Sequence, residues 1–254
     1  MILEPALIVV AHPDDETLGC GVLLPRLANL AILHVTDGAP RDGADARRHG
    51  FPTPQAYAAA RREELATALA EGGVAGAHVV SLDIADQGVA HAMSEIAGRL
   101  VEPMRRAEIV FTHALEGGHP DHDATAFVVR AAARLLGPEA PALVEMPFYR
   151  ADPAGDGWLR QSFGGAPGVT VLRLTEEERR RKQAMLAAHA SQAGTLAAFG
   201  AADESFRTVV PRDVTQPDGS QALYDRHDWG ITSAQLRARM AEAAVELGLS
   251  DAWL

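Results

Sequence analysis

The chain has a single cysteine, Cys20, among its 254 residues. An internal disulfide is therefore excluded, and a reducing compartment is the expected setting. Cys20 falls inside an expected helix, the place of a buried structural thiol. Basic charge is scarce as well: 23 Lys and Arg stand against 34 Asp and Glu, a net charge of −11. Phosphate backbones are usually met by a basic patch, so nucleic acid is not expected as a partner. The one dense basic cluster, Arg179-Arg180-Arg181-Lys182, follows Thr175-Glu176-Glu177-Glu178. That spacing gives i,i+4 pairs Glu176/Arg180, Glu177/Arg181 and Glu178/Lys182 and a capping box at Thr175, the pattern of a solvated helix face. No apolar run approaches the ~20 residues of a membrane span. The N-terminus lacks the basic and apolar regions of a signal peptide, since Met1-Ile2-Leu3-Glu4 leads straight into a strand. A cytoplasmic protein with no membrane partner is the expectation. Gly19-Cys20-Gly21 lacks the third glycine of a dinucleotide fingerprint, which argues against nucleotide binding.

What is present is an ordinary globular composition, 47% hydrophobic and 22% charged, in a chain long enough to bury a core. Strand patterns are expected at 5–11, 30–36, 77–82, 108–112 and 142–146. Helix patterns alternate with them at 13–28, 56–71, 90–105 and 120–136, and a polar loop covers 37–55. Such alternation predicts a doubly wound α/β fold: a mostly parallel sheet of order 3-2-1-4-5 with helices on both faces. Beyond residue 150 the pattern loosens into a loop at 151–168, a strand at 169–174 and a long helix at 175–198. An irregular stretch at 211–230 and an amphipathic helix at 233–248 complete the chain. The reading is one domain, with residues 1–150 as core and 151–254 as an α/β extension carrying substrate loops. The apolar end, Ala252-Trp253-Leu254, suits either self-association as a homo-oligomer or packing on the parent domain.

His-Pro-Asp occurs twice, as His12-Pro13-Asp14-Asp15 and His119-Pro120-Asp121-His122. Each copy follows a buried-strand pattern, Ala6 to Val10 before the first and Ile109 to Thr112 before the second. In a sheet of this order the first and fourth strands are neighbours whose connections leave toward opposite faces. Ligands bind in the crevice beyond their carboxyl ends. His12 precedes a proline and is biased to extended backbone, so a helix can start at Pro13 and bring His12 and Asp15 together around its first turn. Acids in a first turn complement the helix dipole, which accounts for one or two of Asp14, Asp15 and Glu16. It does not account for the same start recurring after Gly117-Gly118. Imidazole and carboxylate without cysteine is the donor pattern of a catalytic zinc, three protein ligands leaving one position open. A carboxylate that stays off the metal is placed to take a proton from water. Spacing leaves open which of Asp14 and Asp15 binds and which accepts the proton, and likewise for His119 and His122.

Ala11-His12-Pro13-Asp14-Asp15-Glu16 and Gly118-His119-Pro120-Asp121-His122 resemble the two signature motifs of the PIG-L/LmbE-like zinc deacetylases. Weaker echoes are Thr36-Asp37-Gly38, Arg61-Arg62-Glu63-Glu64 and Ala188-His189-Ala190-Ser191-Gln192, so the resemblance runs from the first strand to about Phe206. It implies a Rossmann-like fold and removal of the acetyl group from an N-acetylglucosamine-type substrate, a small N-acetylated amino sugar or its conjugate. Carried over position by position, it makes His12, Asp15 and His122 the ligands of one Zn2+, with Fe2+ or Co2+ as alternatives. It makes Asp14 the general base and His119 the group that steadies the oxyanion or protonates the leaving amine. Asp121 becomes the carboxylate that orients His119. Arg61 resembles a substrate-contacting arginine, against the plain reading of a surface helix charge. His189 and Gln192, i,i+3 on the expected long helix, are candidates to line the pocket. Some relatives carry a tyrosine two residues before the second motif's first histidine. Here Gly117 stands at that position, leaving the oxyanion contact to another loop or to His119 and the metal.

Among the other histidines, His34, His78 and His91 read as core-edge or surface residues. His49 and His227 read as members of irregular segments, and His113 as a neighbour of the site. Competing functions are an amidase cleaving a larger acyl group from a thiol-sugar conjugate, and a metal-containing sugar-binding protein without turnover.

Overall fold

Pro5 opens an apolar run in which successive side chains are buried to either side. In the computed structural model, which describes residues 5–214, 222–227 and 229–249, this run is strand β1 (Pro5–Val10). Leu7 and Val9 pack on one face of the sheet, Ile8 and Val10 on the other. Period-two alternation requires this of a strand covered on both sides. The chain continues through α1 (Asp15–Cys20), β2 (Ala28–Pro40), α2 (Ala44–Arg48), α3 (Pro54–Glu71) and β3 (His78–Asp86). Next come α4 (Met93–Arg105), β4 (Ile109–His113), α5 (Pro120–Leu136) and β5 (Ala142–Met146). The last part holds β6 (Tyr149–Ala151), β7 (Trp158–Arg160), β8 (Val169–Arg173), α6 (Glu176–Ala188), α7 (Ala193–Leu196), β9 (Asp203–Thr208) and α8 (Ser233–Glu246).

Seven strands form one sheet in the order β3-β2-β1-β4-β5-β9-β8. The first five are parallel, as the βαβ alternation predicts, and β9 and β8 add an antiparallel edge. β6 and β7 pair as a separate hairpin. Helices α4, α5 and α8 cover the Leu7 and Val9 face through residues such as Leu100, Phe127 and Met240. Helices α1, α3 and α6 cover the opposite face through Leu18, Leu65 and Met185. No described helix is long and apolar enough to cross a membrane.

Several boundaries differ from the expectation. Instead of one helix over 13–28, α1 ends at Cys20 and a short 3-10 turn follows at Leu24–Arg26, where Pro25 cannot continue an α-helix. The expected loop at 37–55 is partly strand, because β2 runs on to Pro40, where it pairs with Asp86 of β3, and α2 follows. The helix expected over 175–198 stops at His189, and its Thr175–Glu178 capping box is formed as expected. The loop at 151–168 contains β7. Strand β9 has no counterpart in the sequence reading, since Asp203, Glu204 and Arg207 mask its alternation. The Ala252-Trp253-Leu254 end lies outside the described residues.

Candidate active site

Both His-Pro-Asp segments leave the carboxyl ends of adjacent strands, β1 and β4, and each starts a helix. At the first, Asp14 takes φ 127, a conformation costing a non-glycine residue about 1–3 kcal/mol. Neighbouring bonds hold it there. Its backbone N–H donates to Glu16 Oε2 at 3.1 Å and its carbonyl accepts from Leu18 at 2.9 Å. Arg61 of α3, fully enclosed, donates through Nη2 to Asp14 Oδ2 at 3.0 Å and to the Pro13 carbonyl at 2.7 Å, and through Nη1 to the Gly38 carbonyl at 2.5 Å. Gly38 has to be glycine: its φ is +69, and a Cβ would stand 2.4 Å from Arg61 Nη1. At the second segment His119 caps α5, its Nδ1 accepting from the Asp121 amide at 3.2 Å. In the neutral ring the hydrogen then sits on Nε2, which is left as a donor.

Between the two segments the donor atoms converge. His12 Nδ1 lies 3.4 Å from Asp15 Oδ2, His122 Nε2 lies 3.4 Å from Asp15 Oδ1, and the two imidazole nitrogens are 3.3 Å apart. Three overlapping sets bring ligand atoms within 4.8 Å of one another: His12, His119 and His122; Asp15, His113 and His122; and His12, Asp86 and Asp121. The trio expected from the sequence straddles these sets, Asp15 offering one oxygen toward each imidazole. On its far side His12 Nε2 faces Asp86 Oδ1 at 3.2 Å and Asp121 Oδ2 at 3.5 Å. His113 Nε2 accepts from the Ala11 amide at 2.9 Å and lies 3.3 Å from Asp15 Oδ2.

Charge in this enclosed site is divided unevenly. Burial alone would lower the His12 pKa, but Asp86, Asp121 and Asp15 together raise it well above the ordinary imidazole value. Burial and the neighbouring His113 push His122 down to about 3, and burial with His12 pushes His119 down to about 4. Both rings are therefore neutral, with lone pairs available. Burial pushes the Asp14 carboxyl up to about 8, Arg61 opposing it. Behind Asp14 lies a second polar layer, in which Glu16 Oε2 meets His34 Nε2 at 2.9 Å and Oε1 accepts from Thr17 Oγ1 at 2.6 Å.

Some sequence expectations fall elsewhere. The Asp121 carboxylate does not orient His119: it accepts from the Gln87 amide at 2.6 Å and the Val89 amide at 3.2 Å and faces His12, because α5 carries it toward the end of β3. Arg61 is no surface charge, and three of its bonds are spent on Asp14 and backbone carbonyls. His189 and Gln192 do not share a helix face, since α6 ends at Ala188, before both, and Gln192 belongs to the 3-10 turn that follows. His189 is buried against Thr17 Oγ1 at 3.3 Å, and Gln192 donates to Tyr57 Oη at 2.5 Å. Two weak echoes meet each other: Glu64 accepts from the Ser191 amide and hydroxyl at 2.8 and 2.7 Å. His34 is buried rather than peripheral, whereas His78 and His91 are exposed as expected. Asp86 and Glu16 are central and were not singled out; Asp86 gave no spacing signal, because β2 rather than sequence proximity brings it in. Around the mouth, Tyr149 stacks on Trp158 and His227 on Trp229, and Trp229 lies 5.2 Å from the His119 ring.

Comparison with known proteins gives the family. Residues 7–133, half of the chain, match the PIG-L family, described as GlcNAc-PI de-N-acetylase. No curated protein matches the sequence. Among solved structures, the A40926 pseudoaglycone deacetylase Dbv21 is 22% identical with a TM-score of 0.60, covering 82% of this chain and 97% of that one. The N,N′-diacetylchitobiose deacetylase from Pyrococcus horikoshii is 17% identical with a TM-score of 0.52, covering 81% and 84%. GalB, a 4-carboxy-2-hydroxymuconate hydratase from Pseudomonas putida KT2440, is 21% identical with a TM-score of 0.55, covering 83% and 98%. Likeness at this level shows a common fold, and a fold alone does not choose between deacetylation and hydration. The matched half runs from β1 through α5 and so carries both His-Pro-Asp segments, which makes this chain an enzyme of the PIG-L, GlcNAc-PI de-N-acetylase, family.

Proposed function

We propose that the chain is a metal-dependent N-deacetylase that removes the acetyl group from the nitrogen of an N-acetylglucosamine-type small substrate or conjugate. The spacing of donor atoms on three residues carries this reading. A tetrahedral ion with bonds of about 2.0–2.1 Å places its ligand atoms about 3.3–3.4 Å apart. His12 Nδ1 and His122 Nε2 lie 3.3 Å apart, and each faces its own oxygen of Asp15, Oδ2 and Oδ1 respectively, at 3.4 Å. Imidazole and carboxylate donors without thiolate suit zinc, and Fe2+ or Co2+ take the same set. Asp86 and Asp121 on the far nitrogen of His12 orient that ring, as carboxylates do behind metal-bound histidines.

When bound, such a cation polarises a carbonyl oxygen and lowers the pKa of water. The chain's own residues supply the rest. Asp14, held by Arg61 and off the donor triangle, takes the proton of the attacking water. His119 presents Nε2–H to the acetamide oxygen as it gains negative charge. As the carbon–nitrogen bond breaks, the amine takes the proton carried by Asp14, and acetate and the free amino sugar leave. The neighbours named as a pseudoaglycone deacetylase and an N,N′-diacetylchitobiose deacetylase support an acetylated amino sugar as substrate.

Asp14→Asn tests the assignment. It is expected to retain the cation yet lower kcat at least ~10²-fold in an acetate-release assay. Unchanged turnover, or loss of the cation with the activity, would overturn it.

A further inference from the structure

We propose that Tyr149 is a further catalytic residue, whose phenol donates a hydrogen bond to the acetamide oxygen as negative charge develops there. The inference rests on the deacetylase reading above. No side chain enters from position 117: Gly117 has φ +75, and a Cβ there would meet Ala222 Cα at 3.2 Å. Strand β6 comes in instead. At Gly118 a Cβ would stand 2.0 Å from the Tyr149 carbonyl oxygen, so only glycine permits this approach. Glu116 Oε1 accepts from the Phe148 and Tyr149 amides at 2.6 and 3.1 Å, fixing the backbone on either side of the ring. The ring lies 5.5 Å from that of His122 and stacks on Trp158 at 5.4 Å and 17°.

With backbone and ring plane both set, the hydroxyl is the one part of Tyr149 left without a role in packing. It makes no hydrogen bond among the described residues and is not enclosed. Half-buried tyrosine hydroxyls usually find a partner, and here the open partner is whatever enters the site. A phenol carries its proton at neutral pH, so it serves as a donor. As the water oxygen bonds to the carbonyl carbon, the C=O pair moves onto oxygen and is met by Tyr149 O–H and His119 Nε2–H. Neither proton is transferred. When the carbon–nitrogen bond breaks, that pair re-forms C=O, and the amine takes the proton that Asp14 removed from water.

Tyr149→Phe keeps the ring, its stack and its backbone clamp. With N-acetylglucosamine, kcat is expected to fall about 10²-fold. KM should stay within about threefold, since the contact is strongest in the transition state. Cation content and melting temperature should not change. Affinity for the methylphosphonamidate of glucosamine, whose phosphoryl oxygen stands in for the oxyanion, should fall by a similar factor, and affinity for glucosamine should not. Wild-type kcat, undiminished phosphonamidate binding, or a loss of melting temperature matching the loss of activity would overturn the role. A wild-type protein that neither releases acetate nor binds the phosphonamidate removes the deacetylase reading and this one with it. Wild-type acetate release beside an unaltered Tyr149→Phe variant removes only the role of Tyr149.

Discussion

Glu116 sits between strand β4 and the second motif with no cationic partner in contact among the described residues, and its carboxyl is pushed up to about 8, chiefly by burial. The folded chain thus keeps a proton that the unfolded chain releases above its ordinary value of 4.5. Stability from this group is fully present below about pH 4.5 and is lost as pH rises toward 8, by at most about 1.4 kcal/mol per pH unit and less because the residue is partly open to solvent. Glu116→Gln retains an oxygen acceptor for the two amides without titrating. Its melting temperature is expected to vary less with pH between 5 and 8 than that of the wild type. At this scale the sequence showed the residues whose chemistry comes with a motif: His12, Asp14, Asp15, His119 and His122 are brought together. It did not show Glu116, Asp86 or Tyr149, because each reaches the site through tertiary placement and leaves no local spacing.

Lys182 shows what happens when an element's surroundings override its local pattern. The i,i+4 rule pairs it with Glu178, yet Glu178 caps α6 and pairs with Arg26. Lys182 is instead fully enclosed, donating to Glu204 Oε1 and to the Leu18 carbonyl at 2.8 Å each. Glu204 Oε1 also accepts from the Val22 amide at 2.9 Å. One ammonium thereby ties α6 to β9 and to the end of α1, directly behind the first motif. Lys182→Met leaves the Glu204 carboxylate buried without its counter-ion and is expected to cost about 3–5 kcal/mol, read from urea unfolding. Lys182→Met combined with Glu204→Leu should recover a large part of that loss. The other two expected pairs, Glu176/Arg180 and Glu177/Arg181, do form on the exposed face. A helix read alone shows its spacing but not which of its charged faces a later strand will cover. The same reason hid β9, whose Glu204 breaks an apolar pattern yet lies in the core.

For the molecule as a whole, the order of the five parallel strands and the crevice between β1 and β4 follow from alternation and chain handedness, and both were legible. Strand β8 was legible too, but β9 and the β6–β7 hairpin were not, since charged residues mask the alternation of β9 and three-residue strands with Gly- and Pro-rich flanks carry too little periodicity. Because the proposed ligands join the first crossover unit to the fourth strand's helix, a bound cation would crosslink distant parts of the chain. Saturating Zn2+ is expected to stabilise the folded state by about 2.7 kcal/mol at a hundredfold excess over its Kd, visible as a raised melting temperature. The rise should vanish in His122→Ala, and chelation should abolish acetate release until the ion is restored. The aromatic residues at the mouth have a different kind of consequence. Trp158 against Tyr149 and Trp229 against His119 and His227 set two indoles at the rim of the crevice. Their light emission is therefore sensitive to whatever occupies it, and the protein carries its own unlabelled optical gauge of ligand entry.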